Sequence, residues 1–343
     1  MGNQRGLQFI KEAIKIFCMT AAVAGLLYLL IKGCNYLVVD DANSYTRLTL
    51  HEFYESEEEI ETIFLGTSHC FRAYEPLLYE ELTGECAYNL GSSSQNIDTS
   101  YYLLKEALKY QDIKKVYLDI YHEFLFFNPE NRELVEANII SDYMKPSLNK
   151  LNFILSRSSS EHYTNSFFPF RRDWQLLGDF SYLKENLAKK NRDSYKNYEP
   201  VVYDDEEYVT KGFVASYAVL NPEHYQWIPK SDKVDLSADK SFALSYLEKI
   251  VDLCKKEGIE IIFLTAPSYE EYLDTKDSYE DIHEYVKELA QKYQVSYWDF
   301  NTCSENLLDL ELEDFMDVDH LNASGAEKVT KCLAKFVLDE LAN

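Results

Sequence analysis

Five short apolar runs, at residues 62–65, 87–90, 116–120, 259–264 and 295–300, alternate with amphipathic stretches at residues 100–110, 241–257, 279–293 and 324–341. Apolar runs of this length read as strands buried on both faces, and the helical stretches between them supply the crossovers that a parallel sheet requires. The chain is therefore expected in the α/β class, as a flavodoxin-like three-layer α/β/α sandwich around a mainly parallel five-stranded sheet. In such a fold ligands bind at the carboxyl ends of the strands.

The rhythm stops between about residues 128 and 235, where Ser, Asn, Tyr and charged residues dominate and no βα pattern is visible. That length is too great for a plain loop and predicts an insertion over the active edge of the sheet, with short helices of its own. Residues 43–59 are polar and read as a stalk or first helix.

The N-terminus carries a different signal. Residues 16–31, IFCMTAAVAGLLYLLI, are uncharged and bracketed by Lys15 and Lys32. A helix of this kind just reaches across a hydrocarbon core of about 30 Å. Arg5, Lys11 and Lys15 precede it and Asp40 and Asp41 follow, so the positive-inside rule places the N-terminus in the cytoplasm and the remainder outside. No A-x-A-like site follows the run, and the lysine in Ile31-Lys32-Gly33-Cys34 makes a poor lipobox. The expected organisation is a cytoplasmic tail and single-pass anchor over residues 1–40, then one domain over residues 41–343.

A formal charge of -25 and 28 tyrosines complete the picture. The charge repels phosphate backbones, which argues against nucleic acid as a partner. Of seven cysteines, Cys18 and Cys34 belong to the span or its edge; the other five form no Cys-x-x-Cys or Cys/His pattern. No zinc site or full disulfide framework is expected, although a Cys70–Cys86 bridge stays open. Acidic runs at residues 57–61 and 204–207 read as solvated surface, so neither metal nor cofactor is expected.

Chemistry enters at the end of the first run, where Gly66-Thr67-Ser68 presents a serine on a tight turn, and at Asp317-Val318-Asp319-His320 near the C-terminus. In D-x-x-H, a short loop holds Asp317 against the imidazole Nδ1–H while Nε2 faces a serine hydroxyl, the geometry a serine nucleophile needs. Asp319 rivals Asp317 as the orienting acid. His69, adjacent to Ser68, is expected as a pocket-wall or structural residue rather than the base; Tyr121 is a pocket candidate, and His122 and Glu123, after the third run, either shape the pocket or belong to a solvated loop.

These blocks resemble the SGNH/GDSL hydrolase superfamily, over residues 57–122 and 234–343. The resemblance implies Ser68 as nucleophile, His320 as base and Asp317 as its partner, with the Ser68 and Gly91 N–H groups in the oxyanion hole; Gly91 stands in the block YNLGSSSQN. Where that family carries an asparagine after the third strand, this chain has Asp119-Ile120-Tyr121-His122-Glu123, and Gln95 or Asn96 is the substitute donor. An anchor joined to such a domain further resembles exported proteins of D-alanine transfer and polysaccharide O-acetylation. That likeness implies an esterase or acyltransferase acting through an acyl-serine on acyl groups of a cell-surface polymer, beside a membrane-bound O-acyltransferase partner. Two rival readings are a non-catalytic carbohydrate-binding or assembly protein on the same scaffold, and a lysophospholipase or lipase.

Overall fold

The computed structural model describes residues 2–126, 135–157, 163–200, 202–221, 236–275 and 279–342. The chain divides into two compact units, Met1–Ala42 with Ser159–Lys196, and Asn43–Ser158 with Asn197–Asn343. Residues of the expected insertion contribute to both; part of that stretch lies outside the described residues.

In the first unit, α1 (Gly2–Val38) is the N-terminal apolar helix. Its Gln8–Val38 portion is 31 residues long and apolar enough to cross a membrane. At about 1.5 Å per residue it extends about 46 Å. The other segment of this unit folds as α8 (Tyr163–Phe167), two 3₁₀ turns, α9 (Phe180–Lys190) and α10 (Asp193–Lys196). Helix ends leave carbonyls unpaired, and α9 supplies the missing donors. Asn186 Nδ2 donates to Leu37 O (2.9 Å) and Val39 O (3.1 Å), and Tyr182 OH donates to Val38 O (2.6 Å).

The second unit is built on five parallel strands: β1 (Thr62–Leu65), β2 (Ala87–Asn89), β3 (Lys115–Asp119), β7 (Glu260–Thr265) and β8 (Ser296–Asp299). Their order, β2-β1-β3-β7-β8, is the flavodoxin-like arrangement, in which the topological switch lies between β1 and β3. Side chains alternate across the sheet. Ile63 and Leu65 of β1, with Val116 and Leu118 of β3, enter one core; Phe64 and Tyr117 enter the other.

The first core is closed by α5 (Ile97–Ala107), α11 (Ser241–Glu257) and α13 (Tyr279–Tyr293), through residues such as Leu103, Leu247 and Val286. The second is closed by α3 (Ser68–Ala73), α4 (Pro76–Thr83) and α14 (Ala323–Ala342), through Tyr74, Tyr79, Val329 and Leu333. The three-layer sandwich expected from the rhythm of apolar runs is present. Helix α2 (Tyr45–Glu55) precedes the sheet, capped by Ser44, whose hydroxyl accepts from Arg47 N.

The stretch without a visible pattern contains helices α6 (Val135–Ser141) and α7 (Leu148–Arg157) and a second, antiparallel sheet of β4 (Val202–Tyr203), β5 (Glu206–Thr210) and β6 (Phe213–Ser216). The short helix α12 (Glu270–Thr275) follows β7. All seven cysteines are free thiols. The open Cys70–Cys86 bridge is not formed: Cys70 Sγ donates to Asn89 Oδ1 (3.5 Å) and Cys86 Sγ to Glu58 Oε2 (3.7 Å).

Candidate active site

The carboxyl ends of β1 and β3 flank the switch point, where an α/β sheet presents functional groups. After β1 the chain turns at Gly66, where a β-carbon would meet Cys70 Cβ at 2.7 Å and Asp119 Cβ at 2.8 Å. Only glycine fits there, because real β-carbons do not approach so closely. Thr67 then caps α3, its Oγ1 accepting from His69 N (3.2 Å), so Ser68 occupies the first position of the helix and is half-buried.

His320 comes from the loop before α14. That loop is closed by a bridge between Phe315 and Leu321 and by Met316 N–H donating to His320 O (3.0 Å). Its base is pinned by Asn322, whose Oδ1 caps α14 by accepting from Ser324 N (3.0 Å), and by Asp314, which accepts from Ser324 Oγ and Lys328 Nζ, both at 2.7 Å.

The two segments meet with Ser68 Oγ 2.7 Å from His320 Nε2. On the far side of the imidazole, Nδ1 faces Asp317 Oδ1 (3.0 Å) and Oδ2 (3.1 Å), and also Asp319 Oδ1 (3.1 Å). Two carboxylates thus converge on one ring nitrogen. They differ in surroundings: the Asp317 side chain is 46% exposed and that of Asp319 20%. Asp317 Oδ1 also accepts from the backbone N–H of His320 (2.8 Å) and Asp319 (3.1 Å), which shapes the loop.

Asp319 is held from behind. Its Oδ2 lies 3.4 Å from His69 Nε2 and accepts from Tyr121 OH (3.3 Å). His69 Nδ1 in turn is 2.8 Å from Thr67 Oγ1. Because that hydroxyl oxygen already accepts from His69 N–H, its hydrogen goes to Nδ1, and the network assigns the ring proton of His69 to Nε2. A chain of polar contacts thereby runs Thr67, His69, Asp319, His320, Ser68, beginning and ending on adjacent residues; its outer links are hydrogen bonds, and the two at Asp319 are close ion-pair contacts at 3.4 and 3.1 Å. The three rings are stacked, with His69 between Tyr121 (centroids 4.0 Å) and His320 (4.3 Å).

Electrostatics follow this wiring. Burial alone would lower the His320 pKa, but its bonds to Asp317 and Asp319 and their charges carry it up to about 9. Burial alone would raise the Asp319 carboxyl; hydrogen bonds from His320 and His69 reverse that and hold it well below the carboxylate range. Burial dominates for His69 and lowers its pKa, so that ring stays neutral beside a charged His320. His69, Asp319 and His320 are also the described residues whose donor atoms lie close enough to hold a metal ion. Their contacts with one another account for that proximity.

The oxyanion side differs from expectation. Gly91 N–H, expected to face the reacting carbonyl, donates instead to Asn89 Oδ1 (2.9 Å). Asn89 is fully buried, and its Nδ2 donates to Cys70 O and Tyr74 O, both at 3.0 Å. The amide thus locks β2 to the end of α3, and Gly91 is drawn into that lock. Gln95 is likewise turned inward: its Oε1 accepts from Ser92 Oγ (2.8 Å) and its Nε2 donates to Ser100 Oγ (3.0 Å). Asn96 Nδ2 donates to Ser94 O (3.2 Å). The Ser68 N–H is the first of α3.

His122 is buried, with its ring centroid 4.8 Å from that of Tyr121. Asp119, where the family resemblance led to an asparagine, is buried beneath the Gly66 turn. Its Oδ1 accepts from Ala266 N (2.9 Å) and Tyr74 OH (3.3 Å), and burial raises its pKa to about 7. The support of Asp319 by His69 and Tyr121 and the lock at Asn89 are absent from the sequence reading. The only signal for them was Asn89 and Asp319 standing inside the motif blocks.

Comparison with known proteins adds the following. A family model bearing no functional description matches residues 229–342. No curated protein matches the sequence. Among solved structures, similarity is found to a GDSL-like lipase from Bacteroides thetaiotaomicron, at 7% identity over 88% of this chain and 99% of that one, with a TM-score of 0.37. A chain described as an acylhydrolase from Bacteroides fragilis shows 10% identity over 89% and 100%, also at 0.37. One described as a platelet activating factor from Streptococcus pneumonia shows 17% over 92% and 99%, at 0.36. Scores at this level carry no argument, and the fold assignment stands on the strand order and three-layer packing.

Proposed function

We propose that the chain is a membrane-anchored, extracytoplasmic serine esterase or O-acyltransferase acting on acyl groups of a cell-surface polysaccharide or cell-wall polymer. The observation that carries the reading is the 2.7 Å contact between Ser68 Oγ and His320 Nε2, with carboxylates on the opposite ring nitrogen.

In its neutral form His320 accepts the Ser68 proton as Oγ attacks an ester carbonyl. The tetrahedral oxyanion forms against the Ser68 N–H at the start of α3, where backbone donors and the helix dipole favour negative charge. Collapse releases the alcohol, which takes the proton from His320, and leaves an acyl-serine. Water or a sugar hydroxyl then gives its proton to His320 and attacks the ester; the acyl–Oγ bond breaks, Ser68 Oγ takes the proton back from His320, and the outcome is hydrolysis or transfer. Asp317 and Asp319 keep Nδ1–H pointed away from the serine throughout. A multi-spanning O-acyltransferase is the expected donor or acceptor partner. With α1 as a single span, the N-terminus lies in the cytoplasm and the sheet unit outside.

A fluorophosphonate probe tests the chemistry. It labels the wild-type chain and leaves Ser68→Ala unlabelled; no labelling of wild type between pH 6 and 10 rules out a serine nucleophile. Release of acetate from acetylated glycan, against fatty acid from lipid, separates polymer deacylation from lipase activity. One observation favours a non-catalytic carbohydrate-binding scaffold instead: Gly91 N–H is engaged by Asn89, and no asparagine follows β3. Failure of labelling with retained glycan binding selects that reading.

A further inference from the structure

The segment from residue 163 to 190 forms one compact unit with α1, and its contacts fix where along that helix it sits. Phe170 N–H donates to Asn35 Oδ1 (2.9 Å), the α9 side chains reach the carbonyls of residues 37 to 39, and Lys190 pairs with Asp41 at 2.8 Å with its own side chain 2% exposed. These contacts form a collar around one level of the helix.

The uncharged run of α1 ends at Ile31, and the first collar contact is at Asn35. Four residues of helix advance about 6 Å. The headgroup layer on each side of a hydrocarbon core is about 5–8 Å deep. With residues 16–31 in the hydrocarbon, the collar therefore lies at headgroup depth.

At that level the segment turns large apolar rings outward: Phe167 is 39% exposed, Trp174 63% and Phe180 84%. Scattered single apolar residues on a surface are ordinary. Three exposed aromatics within fourteen residues of sequence belong to the same unit as a helix whose Leu26 and Leu29 are 69% and 65% exposed. Aromatic rings of amphipathic character concentrate where bilayer meets water. Between residues 163 and 190 Arg171, Arg172 and Lys184 offset Asp173, Asp179 and Glu185, and Lys189 and Lys190 pair with Asp40 and Asp41.

We infer that residues 163–190 form an interfacial foot, whose Phe167, Trp174 and Phe180 side chains enter the headgroup and upper acyl region of the outer leaflet. The occupant is the lipid surface itself, and because the local charges cancel, zwitterionic lipid suffices. A foot of this kind adds a second attachment beside the span and restricts tilting of α1. The inference rests on α1 as a span and is independent of the chemistry at Ser68.

The test uses the full chain in phosphatidylcholine nanodiscs carrying nitroxide-labelled lipid. Subtracting the fluorescence of Trp174→Phe from that of wild type isolates the Trp174 signal. The expected result is at least twofold stronger quenching by lipid labelled at acyl carbon 5 than at carbon 12. Acrylamide quenching should be reduced, and 20% anionic lipid should leave the result unchanged. A Trp174 signal with no nitroxide quenching and full acrylamide access overturns the foot. A second variant, Val23→Trp, read as its difference from wild type, reports on the span, because Val23 lies midway along residues 16–31. If it is quenched by the carbon-12 label while Trp174 is not, the foot fails and the span stands. If neither is quenched, both fail.

Discussion

Asp319→Asn and Asp317→Asn should have unequal effects, although both carboxylates lie about equally close to His320 Nδ1, at 3.1 and 3.0 Å. Distance does not separate them, but burial does. At about 3 Å, two unit charges interact by about 5 kcal/mol at an effective dielectric of 20, and by about 1.4 kcal/mol at 80. Asp319, with 20% of its side chain exposed and His69 and Tyr121 behind it, lies nearer the first limit; Asp317, at 46%, lies nearer the second. Asp317 makes the hydrogen bond to Nδ1, and Asp319, the more buried, makes the larger charge contribution to the raised His320 pKa.

The proton must leave His320 before it can act as base, so a raised pKa places the activity limb at high pH. Wild type should gain activity through about pH 9, the value to which its partners carry His320. If burial decides, Asp319→Asn should move that limb down further than Asp317→Asn. The assay is the second-order rate constant for fluorophosphonate labelling of Ser68 from pH 5.5 to 10.5, with circular dichroism to verify folding. A larger limb shift in Asp317→Asn than in Asp319→Asn refutes the burial argument, as does a wild-type limb near the ordinary histidine value.

Three further outcomes follow from the packing. Asn89→Ala should leave Cys70 O, Tyr74 O and Gly91 N without their partner; at about 1–3 kcal/mol per buried orphan, a loss of about 3–5 kcal/mol is expected in urea unfolding, and a loss under about 1 kcal/mol would show that water replaces the amide. Gly66→Ala must push against two β-carbons and should cost about 1–3 kcal/mol with near-complete loss of labelling at Ser68. For Asp119, the folded pKa of about 7 lies above the unfolded value, so the folded state holds the proton more tightly. Stability then falls as pH rises from about 4 to 7 and levels off above. Asp119→Asn should raise the thermal midpoint at pH 8 relative to wild type and leave it little changed at pH 4; equal shifts at both would show that the carboxyl does not titrate in that window.

Much of the architecture was legible because it is written in local periodicity. The boundaries of α11 and α13 coincide with the amphipathic stretches, and β1 with its apolar run, because each element is specified by side chains that face one core or two. The small sheet of β4 to β6 was not legible. Its strands are short, β4 and β5 are separated by Asp204-Asp205 and β5 opens on two Glu, and the β5–β6 turn is held by Glu52 of α2, which accepts from Tyr208 OH, Thr210 Oγ1 and Lys211 N. No local pattern announces strands that depend on a carboxylate so distant in sequence.

The site shows the same division. Ser68, Asp317 and His320 stand at a strand end and in a short loop, where spacing alone brings them together. The engagement of Asp319 by His69 and of Gly91 N–H by Asn89 depends on side-chain direction across elements, which motif spacing does not encode.

The turn between β5 and β6 carries one further consequence. Asn89 N–H donates to Lys211 O (2.8 Å), and a β-carbon on Gly212, whose φ is +81°, would overlap Asn89 O at 1.8 Å. β2 lies at the edge of the five-stranded sheet, and edges with unpaired backbone groups invite association with other chains. The hairpin tip thus works as a guard on that edge. The guarded residue is also the one whose side chain engages Gly91 N–H, so protection against aggregation and the shape of the oxyanion loop are inherited together. A graft that replaces this hairpin has to reproduce Lys211-Gly212 before it can preserve either.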